Sequence, residues 1–161
     1  RKMADKKDTY VVHNADICCN MGLRMSKVVL RQSHGVFLKK QAQITAKDCV
    51  GKTNIIDFCG CISADNPLTK QKAHEISKNV MNNTGEDFDS EVEDIFCNGE
   101  IGSVKTMSCA GECIPDIVSS GWDEVKDNVF TDGQKPVRGI AILKCRWGGV
   151  ITIELTGQPE G

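Results

Sequence analysis

Nine cysteines in 161 residues constrain this chain more than any other feature. They are Cys18, Cys19, Cys49, Cys59, Cys61, Cys97, Cys109, Cys113 and Cys145, spread over most of its length. Thiols at this density serve as disulfides, as metal ligands or as small buried apolar side chains. A secreted disulfide framework favours an even count behind a signal peptide. Here the count is odd. The N-terminus, Arg1-Lys2-Met3-Ala4-Asp5-Lys6-Lys7, is basic but lacks the run of about 7–15 apolar residues that a signal peptide needs. Metal in a reducing cytoplasm is therefore the expected use, with cytoplasmic synthesis. One tetrahedral ion takes four thiols, so the others are expected to be packed as apolar side chains.

Spacing leaves the ligand set open. No Cys-x-x-Cys knuckle occurs. The close pairs are Cys59-Gly60-Cys61 and Cys109-Ala-Gly-Glu-Cys113, and one zinc could take both. Residues two apart on a strand share a face, so Cys59 and Cys61 could both meet one ion.

Few large rings and 15 glycines suit a turn-rich β structure better than a thick α/β core. Strands are expected at Thr9–Val12, Lys27–Leu30 and Val36–Leu38, with Gln41–Thr45 extended. A helix is expected over Thr69–Asn82, with Ala73, Ile76 and Val80 on one face and His74 beside it. The stretch 83–98 is strongly acidic but lacks the ligand order of a calcium loop, so it reads as a solvated insertion. Gly139–Cys145 and Val150–Leu155 form the best hairpin pattern, with Gly148-Gly149 supplying the turn and Cys145 at its tip. Gly51-Lys52-Thr53 lacks the glycine that a phosphate-binding loop requires at position 46, which is Ala. Net charge is −2 with no basic stripe, which argues against nucleic acid as a partner. No run approaches the roughly 20 apolar residues of a membrane helix.

Several segments, taken in order, resemble the PAAR-like protein family. They are Tyr10-Val-Val12 with Asn14-Ala15-x-Ile17-x-Cys19-x-x-Gly22, Ser26, and His34-Gly35-Val36. The middle carries Asn54-Ile55-x-x-Phe58, Cys61 and Asn66-Pro67, followed by Cys113-x-Pro115 and Trp122. The end carries Leu143-x-Cys145-x-x-Gly148-Gly149-x-Ile151 and Gly157-Gln158. Asn14 and Cys59 stand where the family favours Gly.

The resemblance implies a mainly β, small conical fold of short hairpins over residues 9–158, after a flexible 1–8 tail. It would carry one helical and acidic insertion at 69–98 and be stapled by a metal at its tip. It carries the metal ligands onto Cys19, Cys61, Cys113 and Cys145, around one structural Zn²⁺ ion. Each of these lies beside a turn or loop. His13 and Cys59 are the possible substitute ligands. Lys144 and Arg146 would offset part of the charge on four thiolates. A closed four-thiolate shell has no open position, so the protein is expected not to be an enzyme.

The function implied is that of a structural tip capping the trimeric VgrG-like spike of a bacterial contractile injection machine, one copy per spike. Such machines include type VI secretion systems. The protein would assemble in the cytoplasm and leave with the spike, contacting the target membrane transiently and helping to recruit effectors. Trp122 and Val118 are candidates for the surface that meets the spike. Two other readings compete: a cysteine-dependent redox or hydrolytic enzyme using Cys18, Cys59 or Cys109, and a disulfide-stapled secreted binding module.

Overall fold

Alternation of large and small, buried and wet side chains builds the central sheet. The computed structural model of the protein describes residues 9–84, 110–123, 125 and 128–158. Its strands are β1 (Ala15–Cys19), β2 (Ser26–Val28), β3 (Phe37–Leu38), β4 (Gln41–Ala42), β5 (Ile142–Lys144) and β6 (Val150–Leu155). One helix, α1, spans Pro67–Thr84. The fold is mainly β. A four-stranded antiparallel sheet has the order β2-β1-β6-β5, and β3 and β4 form a separate two-stranded ribbon.

In β1, Ala15 and Ile17 are fully buried, while Asp16 and Cys18, which alternate with them, are partly exposed. The buried row continues across the sheet through Val28, Ile151, Ile153 and Leu143. On the outer face Asp16 stands opposite Lys27 and pairs with it at 2.7 Å. That pair is open to solvent and contributes little, about 0–1 kcal/mol. Loops close the other side of the core with Val11, Ile44, Ile55, Phe58, Trp122 and Val137. Burying each large aliphatic or aromatic side chain here is worth roughly 1.5–3 kcal/mol.

The hairpin forms as expected, pairing Ile142 with Thr152, Leu143 with Ile151 and Lys144 with Val150. Gly148 takes φ 82°, a left-handed value open to glycine at no steric cost. The first strand differs from expectation. Tyr10 and Val12 make only isolated bridges, to Arg138 and Gln43, and the strand proper is Ala15–Cys19. The β-branched run at 9–12 crosses between loops instead of entering a ladder.

The helix also starts earlier than expected. Asn66 caps it, its Oδ1 accepting the Leu68 N–H at 3.0 Å, and Pro67 takes the first helical position, where its missing N–H costs nothing. Thr69, Ala73 and Ser77 face inward, with Ile76 half-buried. Small inward residues let the helix start lie close to the chain at Gly111, where an added Cβ would stand 2.4 Å from the Thr69 nitrogen. The expected 1–8 tail and the acidic stretch from position 85 onward lie outside the described residues.

At the end of the fold where β1 begins, one partly exposed polar junction joins three loops. His34 Nε2 lies 2.7 Å from Asp48 Oδ2, and His34 Nδ1 lies 2.9 Å from Asp132 Oδ2. The same Asp48 oxygen accepts the Thr45 N–H and hydroxyl, and the Asp48 carbonyl accepts Trp122 Nε1–H at 3.0 Å. Burial pulls the His34 pKa down, but hydrogen bonds to Asp132 and Asp48 outweigh it and raise it above its ordinary value. A raised folded-state pKa means that the folded protein holds the proton more tightly. The clamp's contribution is therefore full below about pH 6.5, the unfolded value, and fades as pH rises through the folded one. Thermal melts from about pH 5.5 to about pH 8.5 should show stability falling upward through that window. His34→Gln should flatten that slope and lower the melting temperature at low pH by roughly 2–4 °C, about 1 kcal/mol for a domain this size.

Candidate metal centre

The period of two that buries Ala15 and Ile17 also places Cys19, not its neighbour Cys18, on the core face of β1. Cys145 follows Leu143 by the same step on the adjoining hairpin. The register sets Cys19 opposite Ile151 and Leu143 opposite Ile151, so the two cysteines close one end of the sheet from neighbouring rows.

Cys61 and Cys113 arrive from loops that hydrogen bonds fasten to the same end. Cys61 N–H donates to the Gly111 carbonyl at 2.9 Å and its carbonyl accepts Gly111 N–H at 3.0 Å. That carbonyl also accepts the Thr69 hydroxyl at 2.6 Å, tying it to the start of α1. Gly22 bridges Cys61 on the other side, and Ile117 bridges Cys145 four residues beyond Cys113.

The four thiols Cys19, Cys61, Cys113 and Cys145 line one small apolar cavity of about 20 Å³, walled by Phe58, Trp147 and Ile151 among others. These are the four residues that the family resemblance selects. The close pair does not assemble. Cys59 is exposed and is not among the lining residues, while Gly60 is. Cys59 adopts φ 65°, a left-handed value rare for a residue with a Cβ. Asn14, the other departure, takes φ 71°. His13 is no substitute ligand either: its Nδ1 accepts Leu30 N–H at 2.9 Å, at the far end of β1 from Cys19. Cys97 and Cys109 lie outside the described residues. The seven described cysteines are free thiols.

Local backbone is arranged toward sulfur. Phe58 N–H donates to Cys113 Sγ at 3.4 Å, and the amides of Met21 and Gly22 act on the Cys19 sulfur. Against these, burial pushes the Cys19 thiol up, as do the sulfurs of Cys145 and Cys61. Burial likewise pushes Cys113 up to about 11, with Cys61, Cys19 and Asp57 adding to it. Four thiolates cannot share this cavity without a cation, because each opposes the charge on the next. A dication would reverse that balance.

Two further observations fit such an occupant. An added Cβ on Gly149 would lie 2.7 Å from Cys19 Sγ, so that position admits only glycine while the sulfur stays in place. Trp147 Nε1 is the one buried side-chain nitrogen or oxygen among the described residues without a hydrogen-bond partner, and Trp147 lines the cavity. The donor set suits zinc in kind. Among the described residues, however, no group of three or more His, Cys, Asp or Glu side chains stands in positions that could hold a metal ion. The sulfurs line the wall of the void; a Zn–S shell at about 2.3 Å would draw them inward.

Sequence reasoning missed Trp147 and misjudged Trp122. Arg146 Nε pairs with Asp116 Oδ2 at 2.6 Å. Trp122 is buried in the core at 3% exposure, so it is no docking residue. Val118 is exposed, but its amide donates to Lys144 at the cysteine end of the sheet, not the opposite one. The competing enzyme reading finds no activated nucleophile in Cys18. Burial, then Glu154 and Asp16, push its thiol up.

A family model described as a domain of unknown function, DUF4280, matches residues 11–158. No curated protein and no solved structure matches the chain.

Cys59→Gly should leave the protein folded and stabilise it by up to about 1 kcal/mol in urea denaturation. Relief of roughly 1–2 kcal/mol of left-handed strain exceeds the roughly 0.5–1 kcal/mol that glycine adds in chain freedom. Gly149→Ala should destabilise by about 1–3 kcal/mol in the same assay, because its Cβ displaces the Cys19 sulfur.

Proposed function

The chain belongs to the DUF4280 family, and on that footing we propose that it is a PAAR-like tip protein. In this reading it caps the trimeric VgrG-like spike of a bacterial contractile injection machine and holds one structural zinc ion. The observation that carries the reading is the convergence of Cys19, Cys61, Cys113 and Cys145, from four separate segments, on one cavity at one end of the sheet.

The physics of a tip supports it. A fold that narrows toward a point runs out of width for an apolar core, and small cores need staples. Zinc bound by four thiolates from four segments would supply one, contributing on the order of 10 kcal/mol in small domains. With all four positions taken by sulfur, no site remains for substrate or activated water, so we assign no catalytic step.

The opposite end of the sheet has the character of a docking base. Phe37 and Phe130 are 55% and 64% exposed there, beside Val36 and Val129. Their segments are held together by Gln43, whose amide donates to Val36 and whose side chain accepts the Thr131 hydroxyl. Exposed aromatics gathered at one end, away from the thiols, suit a protein interface. These residues replace Trp122 and Val118 as the surface for the spike. Effectors, if carried, would ride on the assembled spike, with export from the cytoplasm as one particle.

Elemental analysis of protein purified without added chelator should give one equivalent of zinc. Serine at Cys19, Cys61, Cys113 or Cys145 should each reduce that below about half an equivalent, while Cys18→Ser and Cys59→Ser keep it. Chelation should lower the melting temperature by about 10 °C or more. Phe37→Asp and Phe130→Asp should lose capture by the trimeric spike while retaining metal. Metal-free protein that melts normally, or spike capture indifferent to both phenylalanines, would refute the corresponding half of the proposal.

A further inference from the structure

The exposed aromatics opposite the thiols stand on two different segments. Phe37 opens β3, just after His34 and Gly35, and Phe130 leads into the turn 131–134. That turn is short and stiff. Thr131 N–H donates to the Gln134 carbonyl at 2.7 Å, and Gln134 N–H to the Thr131 carbonyl at 3.0 Å. Asp132 and Gly133 between them take φ 52° and 74°, the pair of left-handed values that a two-residue hairpin turn requires. Asp132 and Phe130 therefore move as one piece. Side chains join this piece to the Phe37 segment. Gln43 does so without regard to pH: its N–H donates to the Val36 carbonyl, and its Oε1 accepts the Thr131 hydroxyl at 2.6 Å. His34 does so through its ring, with Nδ1 2.9 Å from Asp132 Oδ2.

We infer that His34 is a pH-operated tie between the two halves of the aromatic docking face, so that the spike is held more tightly below neutral pH than above it. The inference rests on the docking reading above and adds its regulation. Among the described residues, the charged groups facing the ring are Asp48, from the loop after β4, and Asp132, from the turn. Nearby cations are turned elsewhere: Lys47 Nζ reaches the Ser120 carbonyl, and Arg31 reaches the carbonyls of Thr53 and Lys52. An imidazolium donates to both carboxylates. A neutral imidazole keeps one N–H and turns a lone pair toward the other oxygen. The two arms are unequal, because the Asp48 side chain is 13% exposed and that of Asp132 is 65% exposed. The less screened carboxylate keeps the remaining N–H, so the Asp132 arm lets go into water and the Phe130 turn loses its charged anchor.

NMR of the wild-type protein from about pH 5.5 to about pH 8.5 reads both ends of the tie. The His34 ring signals should titrate with a midpoint above about 6.5, and the amides of Phe130, Asp132 and Gly133 should shift with that same midpoint. Capture by the purified trimeric spike should weaken about three- to five-fold over this range, with the midpoint of the His34 ring. Asp132→Asn preserves the turn, since Asn-Gly suits it as well as Asp-Gly, and removes the charged arm. It should bind the spike at every pH about as weakly as the wild type does at high pH. Titration of the spike's own groups would persist in that variant. Turn amides that ignore the His34 titration overturn the inference. So does capture by the wild type that is indifferent to pH, or that follows pH equally in Asp132→Asn. Absence of capture at every pH overturns the docking reading instead, and the turn amides then decide the tie by themselves.

Discussion

No strand among the described residues is longer than six, and that shortness governs the rest of the structure. A four-stranded sheet of such pieces buries one face and must borrow its second layer from loops. The borrowed side chains, Val11, Ile44, Ile55, Phe58, Trp122 and Val137, come from stretches with little regular secondary structure. Their backbones are satisfied by scattered bridges instead, as at Tyr10 with Arg138 and Thr45 with Pro136. Side-chain junctions such as Asp48 do the work that a longer ladder does elsewhere, holding loops that the sheet itself does not reach.

The two ends of the sheet meet this shortage differently. Where β1 begins, a charged junction of His34, Asp48 and Asp132 ties three loops, with exposed aromatics nearby. Where β1 ends, the ties are backbone bonds around four thiols and a void. An apolar void lined by sulfur is poor packing, and in the proposed reading it is where the ion would sit. The same residues thus read as a defect when counted as core and as a site when counted as donors.

Much of this was legible in the sequence, but unevenly. The hairpin at 142–155 carried its own local signals, apolar runs around Gly148-Gly149, and local signals survive folding. β1 was harder to see because Ala15-Asp16-Ile17-Cys18-Cys19 alternates with small side chains, whereas Thr9–Val12 advertises β-branching it spends on crossing bridges. Asn66-Pro67 is a turn signal in the sequence, and the cap and first position of a helix use the same residues. Spacing could not tell which thiols share the cavity, since Cys59 is exposed outside it and Cys61 is brought to it by a long-range pairing with Gly111. Trp147 had no sequence signal at all, because an orphaned N–H is defined only by what fails to surround it.

The placement of β1 between β2 and β6 has a further consequence. Residues 15–19 make their central pairing with residues 151–155, nearly the full length of the chain away. Contacts of that separation are slow to form, because the intervening chain must be ordered before they return any stability. During synthesis the first strand therefore waits, with one edge open, until the last hairpin has left the ribosome. Cys19 and Cys145 belong to those same two pieces, so they meet only once that long-range pairing has formed.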